Sequence, residues 1–275
     1  MPIQEIPSPT YLWLYSLAQI WLRILLCSLY PQAQGCRLTN MSTLYMVATP
    51  IGNLDDITYR AVETLRSVDV IACEDTRHTQ TLLQKYDIQK RLIACHAHNE
   101  SNSAQGIVAL LEAGNDIAFV SDAGTPGISD PGLRVVKAVR EAGFTVVPIP
   151  GPSAVATLIS VAGYVGKSFT FEGFLSPRKG RRTKRLTELL GRNEAFVIYE
   201  SPFRIVKTLD ELSLLDPLRQ VVVGREMTKK FEEFLVGTAS EVSALLSARQ
   251  SIKGEFALCV APIEASDSDD DDSEA

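Results

Sequence analysis

The residues from Ser121 to Gly132 have the composition of a loop that holds a ligand. Three glycines and two prolines occur among them; glycine permits positive φ or close ligand approach, and proline fixes φ. An apolar run from Ile117 to Val120 precedes the loop and a helical pattern begins at Leu133, so the loop follows a buried strand. Ligands bind at the carboxyl ends of strands in open α/β sheets. An ordinary βα connection is the alternative, although it needs fewer residues.

Four other polar loops also follow predicted strands, at residues 49–55, 74–77, 96–100 and 150–153. In a parallel sheet such loops gather on one edge and line one cleft. None of them has the GxGxxG or GxxxxGK[ST] pattern, which argues against dinucleotide and P-loop nucleotide binding. A nucleoside-like ligand held largely by backbone groups remains compatible with these loops.

A dense group of cations follows a predicted strand of the second half of the chain, comprising Arg178, Lys179, Arg181, Arg182, Lys184 and Arg185. Such a cluster can bind a phosphate backbone through salt-sensitive contacts without sequence preference. A solvated basic helix face is the alternative. Three polar segments, residues 199–204, 225–230 and 253–255, also lie at strand ends, where structural salt bridges are as well supported as function.

The elements that position these residues alternate between strand and helix. From Leu44 to Val147 predicted strands and helices alternate repeatedly. This alternation predicts a mostly parallel sheet with helices on both of its faces. An apolar helix ends near Gly163, and a second α/β pattern follows with an added strand or hairpin at residues 230–238, making its sheet mixed. We predict an α/β protein with an N-terminal domain at 41–163 and a C-terminal domain at 164–264.

Both ends of the chain differ from this body. Residues 1–40 form an atypical leader, apolar from Tyr11 to Leu29 but interrupted by Gln19 and Arg23. A functional start at Met41 is one interpretation and a membrane or partner-binding helix is the other; the core requires no membrane. The formal net charge is −6, and the six acids of the tail at 265–275 account for it. We expect that tail to be disordered.

The cysteines indicate a reducing, cytoplasmic location. The five of them show no CxxC pair and no metal-ligand spacing, so we expect neither a disulfide framework nor a metal site. Cys95, His96 and His98 lie close together, but no second ligand cluster accompanies them.

Several ordered blocks resemble the bacterial small-subunit ribosomal RNA methyltransferase I family, a 2′-O-ribose methylating branch of the tetrapyrrole methylases. The blocks are Ala48 to Ile57, Cys73 to Arg77, His98 to Glu100, Ser121 to Pro126, Pro150 to Ala154, Tyr199 to Pro202, Arg225 and Glu226 with Thr228 and Lys229, and Lys253 to Glu255. Each block alone is weak evidence for the family, whereas all of the blocks in this order are specific to it.

The resemblance implies a homodimer that binds S-adenosylmethionine between two α/β domains. It also implies methylation of the ribose 2′-oxygen of a decoding-centre cytidine in 16S ribosomal RNA, free or in the small subunit. Carried over by motif, the cofactor residues are Pro50, Asp122, Ala123, Gly124, Thr125, Ile128, Ser153, Tyr199, Met227 and Gly254.

The implied reaction needs the ribose hydroxyl aligned with the methyl group and relieved of its proton. Asp75, Glu74 and Lys229 are the candidate bases, and the sequence does not choose among them. Arg77 joins the cations from Arg178 to Arg185 as an RNA-binding candidate. The chain departs from the family pattern at Phe203, where the family usually has histidine.

Two other functions fit the same pattern. A tetrapyrrole-type methyltransferase of small molecules would share the fold, because a fold does not determine a substrate. A ribosome-binding factor without catalytic activity would keep the basic cluster but not the cofactor.

Overall fold

A computed structural model describes residues 42–96 and 100–263 of the chain. These residues belong to one compact unit that begins at Ser42. The predicted apolar leader, the acidic tail from residue 265 onward and His98 lie outside the described residues. The boundary between two domains near Gly163 stays a prediction.

The first half of the described chain forms a five-stranded parallel sheet in the order β3-β2-β4-β1-β5. Its strands are β1 (Thr43–Val47), β2 (Val70–Cys73), β3 (Arg91–Ala94), β4 (Ile117–Val120) and β5 (Thr145–Ile149). The connecting helices are α1 (Tyr59–Ser67), α2 (Thr76–Lys85), α3 (Glu100–Glu112) and α4 (Leu133–Glu141), with a 3-10 turn at Leu54–Asp56.

Helices cover both faces of this sheet, which explains the uninterrupted apolar runs of its central strands. Successive residues of β4 alternate between two cores: Ala118 packs with Ile71 on one face, and Phe119 packs with Ile107 on the other. Burying a side chain as large as that of Phe119 stabilises the fold by about 1.5–3 kcal/mol. The prediction of a parallel sheet with two covered faces is confirmed.

The helix after β2 is capped by an aspartate. Asp75, rather than Thr76, is the N-cap of α2, and its carboxylate accepts a hydrogen bond from the backbone N–H of Arg77 at 2.8 Å. Aspartate is among the strongest N-cap residues because its carboxylate accepts from free N–H groups in the first turn. Thr76 is the first residue of the helix itself.

The second half forms a mixed sheet in the order β6-β7-β10-β8-β9. Its strands are β6 (Phe169–Phe174), β7 (Ala195–Glu200), β8 (Gln220–Arg225), β9 (Glu233–Thr238) and β10 (Phe256–Val260). Its helices are α6 (Lys179–Leu190), α7 (Ile205–Leu215) and α8 (Ala239–Ser247). Only the pair β6 and β7 is parallel within this described sheet. Pairing of β9 with β8 confirms the strand predicted within residues 230–238.

One helix connects the two sheets and packs against the second. Helix α5 (Ala154–Ala162) follows β5 of the first sheet. Its buried Val155 and Leu158 contact Val222 and Ala257 of the second sheet in one apolar cluster. Among the described residues, no helix is long and apolar enough to cross a membrane.

Candidate functional site

Two loops at the carboxyl edge of the first sheet are joined by a pair of backbone hydrogen bonds. The N–H of Thr49 donates to Gly124 O at 2.9 Å, and the N–H of Gly124 donates to Thr49 O at 3.0 Å. Gly124 has φ +79°, and a Cβ added there would lie 3.3 Å from Cγ2 of Ile51. A residue other than glycine would be strained by this φ and crowded by this contact. The loop from Ser121 to Gly132 therefore has a fixed backbone path next to the loop after β1.

A cavity of about 360 Å³ lies beside this loop and is lined from both sheets. The first half contributes Ile51, the residues from Ala123 to Thr125, and those from Ile128 to Asp130. Helix α5 contributes Ser153 at its N-cap and Ala154. The second half contributes Phe174, Tyr199, Glu200, Ser201, Pro202, Met227, Glu255, Phe256 and Ala257. Residues far apart in the chain thus meet around one volume of the size typical for small-molecule sites, about 300–1,000 Å³.

Most of the residues predicted to hold a cofactor line this cavity: Ala123, Gly124, Thr125, Ile128, Ser153, Tyr199 and Met227. Two others, Pro50 and Asp122, line a neighbouring cavity of about 100 Å³. Asp122 Oδ1 accepts a hydrogen bond from the N–H of Asp75 at 3.0 Å, which connects the loop after β4 to the loop after β2. Gly254 precedes the lining residue Glu255.

Gly254 has a steric role in the second sheet. Its φ is +100°, and a Cβ there would lie 2.5 Å from Cγ of Glu226. Glu226 in turn accepts hydrogen bonds from the N–H of Glu255 at 2.9 Å and from Lys229 Nζ at 3.0 Å. Gly254 thus provides the room in which the Glu226 side chain supports a residue of the cavity wall.

Asp130 is a cavity residue that the motif comparison missed. Burial raises the pKa of its carboxyl group, hydrogen bonding with Ser121 opposes that rise, and the nearby carboxylates of Asp122 and Glu255 add to it. Its position at the end of the glycine-rich loop was a signal that sequence reasoning could have used. Phe256 and Ala257, by contrast, lie in a buried strand whose sequence resembles that of any core strand.

The other carboxylates of the cavity wall each have a cationic partner. Glu200 is buried, and it accepts hydrogen bonds from the N–H of Ser201 at 2.8 Å and from Thr208 Oγ1 at 3.0 Å. It also forms an ion pair with Arg204 at 3.1 Å. Glu255 is paired with Lys229 at 2.9 Å. Asp130 is therefore the wall carboxylate best suited to act on a bound molecule.

Comparison with known proteins places this chain in a family. A family model for tetrapyrrole (corrin/porphyrin) methylases matches residues 43–243. The ribosomal RNA small subunit methyltransferase I of Bacillus subtilis is 46% identical over 222 residues, covering 81% of this chain and 76% of the relative. The protein of the same name from Borrelia garinii subsp. bavariensis is 48% identical over 219 residues, covering 79% of this chain and 97% of the relative.

The chain belongs to the ribosomal RNA small subunit methyltransferase I family. A crystal structure of uroporphyrin III C-methyltransferase from Thermus thermophilus shares the fold of this methylase, with a TM-score of 0.59 at 15% identity over 80% of this chain and 97% of that one. The predicted tetrapyrrole methylase fold, with one parallel and one mixed sheet, is confirmed.

Two of the three candidate bases of the methylase are poorly suited to that role. Burial lowers the pKa of Lys229, but hydrogen bonds to Glu255 and Glu226 outweigh burial and leave the pKa raised. The raised pKa favours the cationic form of Lys229, so the neutral base considered for this position stays a prediction that these contacts do not support. Hydrogen bonds from Arg77 lower the pKa of Asp75 to about 2, which makes its carboxylate a weak proton acceptor at neutral pH.

Glu74 is the third candidate. It is half-buried, and burial raises its pKa, as do the nearby carboxylates of Asp122 and Asp130. Glu74, Asp122 and Asp130 are therefore close enough to influence one another electrostatically. Within the described ranges 42–96 and 100–263, no group of three or more histidine, cysteine, aspartate or glutamate side chains forms a candidate metal site.

The basic cluster of the methylase divides into exposed and structural cations. Arg178, Lys179, Arg181 and Lys184 are exposed. Arg182 is 5% exposed, and its guanidinium donates to both carboxylate oxygens of Glu211 on α7. Its predicted contact with RNA is therefore corrected to a buried ion pair.

Arg185 and Arg77 are intermediate cases. Arg185 donates to Glu172 of β6 at 2.8 and 2.7 Å and to Glu188 at 2.9 Å, which orders its side chain. Arg77 has a largely exposed side chain that is paired with Asp75 at 3.0 Å. Phe203, at the position of the family's usual histidine, is 86% exposed, next to the wall residue Pro202.

Proposed function

We propose that this methylase transfers a methyl group from S-adenosylmethionine to the ribose 2′-oxygen of a decoding-centre cytidine in 16S ribosomal RNA. Its relatives are named as methyltransferases of small-subunit ribosomal RNA. The observation that carries the proposal is the position of the cavity between the sheets. Phe174 lines this cavity, and the exposed cations at the start of α6 follow Phe174 within a few residues of the chain. A small-molecule site and a phosphate-binding surface thus adjoin one another.

The cavity fits S-adenosylmethionine in size and chemistry. Apolar side chains dominate its wall, and its lining also includes a few polar residues, among them Ser129, Ser153 and Asp130. The positive φ and missing side chain of Gly124 let this loop pack closely against Ile51, another residue of the cavity wall. The residues that would hold the cofactor are Ala123, Gly124, Thr125, Ile128, Ser153, Tyr199 and Met227. When bound there, S-adenosylmethionine supplies a methyl group already activated by a sulfonium.

Asp130 is the proton acceptor in this proposal. Its carboxylate lies in the cavity wall, and its raised pKa makes it a stronger base near neutral pH than an ordinary aspartate. It accepts the proton that the ribose 2′-hydroxyl loses. Glu200, held by Arg204 and Thr208, keeps the opposite part of the wall in place.

Arg178, Lys179, Arg181 and Lys184 bind RNA phosphates in this proposal, with Arg77 on the first-sheet edge as a further contact. These exposed cations provide affinity without sequence preference. The proposal also includes a homodimer and a cytoplasmic location, in line with the family resemblance. Light scattering on the purified full chain tests for the homodimer. Fractionation of the native host tests for the cytoplasmic location.

Methyl transfer from labelled S-adenosylmethionine tests the function. Free 16S RNA and assembled small subunits are offered separately, and the ribose-methylated nucleotide is mapped. We expect incorporation at one decoding-centre cytidine. Incorporation into a tetrapyrrole instead, or calorimetry that shows RNA binding without cofactor binding, would each overturn the proposal in favour of one of the alternative functions.

Replacing Arg178, Lys179 and Arg181 together by glutamine tests the phosphate contacts. The slope of log affinity against log salt should fall by about two, at roughly 0.7 per lost contact with single-stranded RNA. The matched control is the pair Lys137→Gln and Arg140→Gln on α4, which are also exposed cations. An equal change in slope for the control pair would contradict the assignment.

A further inference from the structure

Phe174 is an exposed aromatic residue at the entrance of the cavity. It ends β6, it lines the cavity, and it is 61% exposed. Its ring contacts Tyr199 in an edge arrangement, with centroids 5.7 Å apart and planes at 68°. Because most of the residue stays exposed, this contact fixes the ring while leaving much of its surface uncovered. A fixed and uncovered ring is suited to stacking.

An irregularity in β6 turns Phe174 toward this entrance. Phe171 also contacts Tyr199, with centroids 4.9 Å apart. Residues three apart in a regular strand face opposite sides of the sheet, so Phe171 and Phe174 could not both reach one ring from a regular strand. The register with β7 shifts between Phe171 and Gly173, and Gly173 has φ +70°. This bulge reverses the alternation and brings Phe174 to the side of Tyr199.

The extra residue of the bulge is anchored to the basic helix. Glu172 accepts hydrogen bonds from Nε and an Nη of Arg185 at 2.8 and 2.7 Å. Arg185 lies on α6, the helix that carries the exposed cations Lys179 and Arg181 and whose N-cap residue is the exposed Arg178. The bulge, the aromatic ring and the cationic surface are therefore parts of one connected arrangement.

An exposed aromatic ring beside exposed cations is the pattern that binds unpaired nucleotides. Proteins that recognise single-stranded RNA stack splayed bases on aromatic side chains while cations contact the backbone. The base is attached to the ribose that is to be methylated, so a ribose in the cavity leaves its base near the cavity entrance. We propose that Phe174 stacks on the base of the nucleotide that is methylated. This inference rests on the proposed function.

The test compares Phe174→Ala with Phe174→Trp in the full-length chain. Methyl transfer to an RNA fragment of the decoding centre gives kcat/KM, and calorimetry gives the affinity for S-adenosylmethionine. We expect Phe174→Ala to lower kcat/KM on the order of ten- to a hundredfold, as for the loss of one stacking partner. Phe174→Trp should retain most of the activity, and cofactor affinity should change less than twofold in both variants.

A fluorescent cytidine analogue at the target position reports stacking directly. Its emission should be quenched by the unmodified protein and by Phe174→Trp, but not by Phe174→Ala. Phe169→Ala is the matched control because Phe169 lies at the opposite end of the same strand and is 41% exposed. This control should behave like the unmodified protein in every measurement.

Three outcomes would overturn the stacking role. The first is unchanged kcat/KM and quenching in Phe174→Ala. The second is a parallel loss of cofactor affinity, which would make Phe174 a cofactor residue, and the third is a change in oligomeric state by light scattering, which would make it an interface residue. If the unmodified protein methylates no RNA, the proposed function fails instead, and the quenching measurement still decides whether Phe174 stacks on a base.

Discussion

At the scale of single residues, charge in the cavity wall is controlled by pairing. Glu200 is paired with Arg204 and Glu255 with Lys229, whereas Asp130 is half-buried and lies near the carboxylates of Asp122 and Glu255. A carboxylate in such surroundings is destabilised in its charged form. The surroundings of Asp130 therefore make its carboxylate a stronger base, and they lower the stability of the folded protein when that carboxylate is charged.

Asp130→Asn should separate these two effects. We expect methyl transfer to fall about a hundredfold or more, the typical contribution of a positioned base. In the unmodified protein, activity should fall as the pH drops through the raised pKa of Asp130, and the variant should lack this acid limb. The measurement is kcat/KM against pH, with Glu112→Gln, an exposed residue at the end of α3, as the control.

The stability of the same variant has a predicted sign. A carboxyl group whose pKa is raised by folding favours the folded state when protonated, and this contribution is lost as the pH rises from the unfolded pKa through the folded one. At pH 7.5 the charged Asp130 therefore destabilises the fold, so the neutral asparagine variant should melt at an equal or higher temperature. A clearly lower melting temperature would show that Asp130 is held by favourable contacts instead.

Gly124→Ala tests the fixed path of the glycine-rich loop. The positive φ should cost about 1–2 kcal/mol in the free energy of unfolding, and the contact with Ile51 should displace the loop and weaken cofactor binding. Gly127→Ala is the control because Gly127 has φ +80° with open space around its Cβ position. It should lose similar stability in urea titrations but retain cofactor affinity. Equal affinities for both variants would contradict a role for Gly124 in the site.

At the scale of elements, the basic helix α6 is attached to the protein by its own arginines. Arg182 pairs with Glu211 of α7, and Arg185 pairs with Glu172 of β6. Lys179, Arg181 and Lys184 of the same helix are exposed. Helix α6 therefore carries both the side chains that attach it to the protein and an exposed charged surface. The cation count of the segment therefore overstates the charge that RNA can contact.

Glu211→Gln should destabilise the protein by about 3–5 kcal/mol, because it leaves the buried Arg182 cation without a charged partner. Glu188→Gln, which removes an exposed partner of Arg185, should cost about 1 kcal/mol or less. The double variant Arg182→Met with Glu211→Met should regain most of the stability in urea denaturation. Its RNA affinity should match that of the unmodified protein, and a loss comparable to that of the exposed-cation variant would restore Arg182 as an RNA contact.

The sequence was informative about elements and less so about the partners of individual side chains. Apolar periodicity identified the strands and helices, and the rule for parallel sheets placed the glycine-rich loop at the cavity. The partner of Arg182 is 29 residues away in the chain, and local sequence does not indicate it. The orientation of Phe174 depends on a bulge in β6. A prediction that side chains alternate regularly between the two faces of the sheet would place Phe174 on the wrong face.

At the scale of the whole molecule, the two sheets are coupled beside the cavity through their loops. The N–H of Asn53 donates to Thr228 Oγ1 at 3.1 Å. A Cβ added to Gly52 would lie 2.4 Å from Cγ of Lys229 and 3.0 Å from the carbonyl oxygen of Met227. The loop after β8 is therefore packed directly against the loop after β1, and Met227 continues from this contact into the cavity wall.

Gly52→Ala should force these loops apart. We expect the affinity for S-adenosylmethionine to fall roughly tenfold, equivalent to about 1.4 kcal/mol, because Met227 moves with its loop. Gly166→Ala is the control, since Gly166 is also exposed and its Cβ position has open space. Calorimetry on both variants provides the comparison, and an unchanged affinity for Gly52→Ala would show that the loops adapt independently of the cavity.

The position of β10 has a consequence for how the protein is made. This strand is the last of the described strands in the sequence, yet it lies in the middle of the second sheet, between β7 and β8. It also contributes Phe256 and Ala257 to the cavity. During synthesis the second sheet stays divided until residues 256–260 have left the ribosomal tunnel. A nascent chain therefore cannot complete the cavity wall before β10 has emerged, because shorter chains lack Phe256 and Ala257 of that wall.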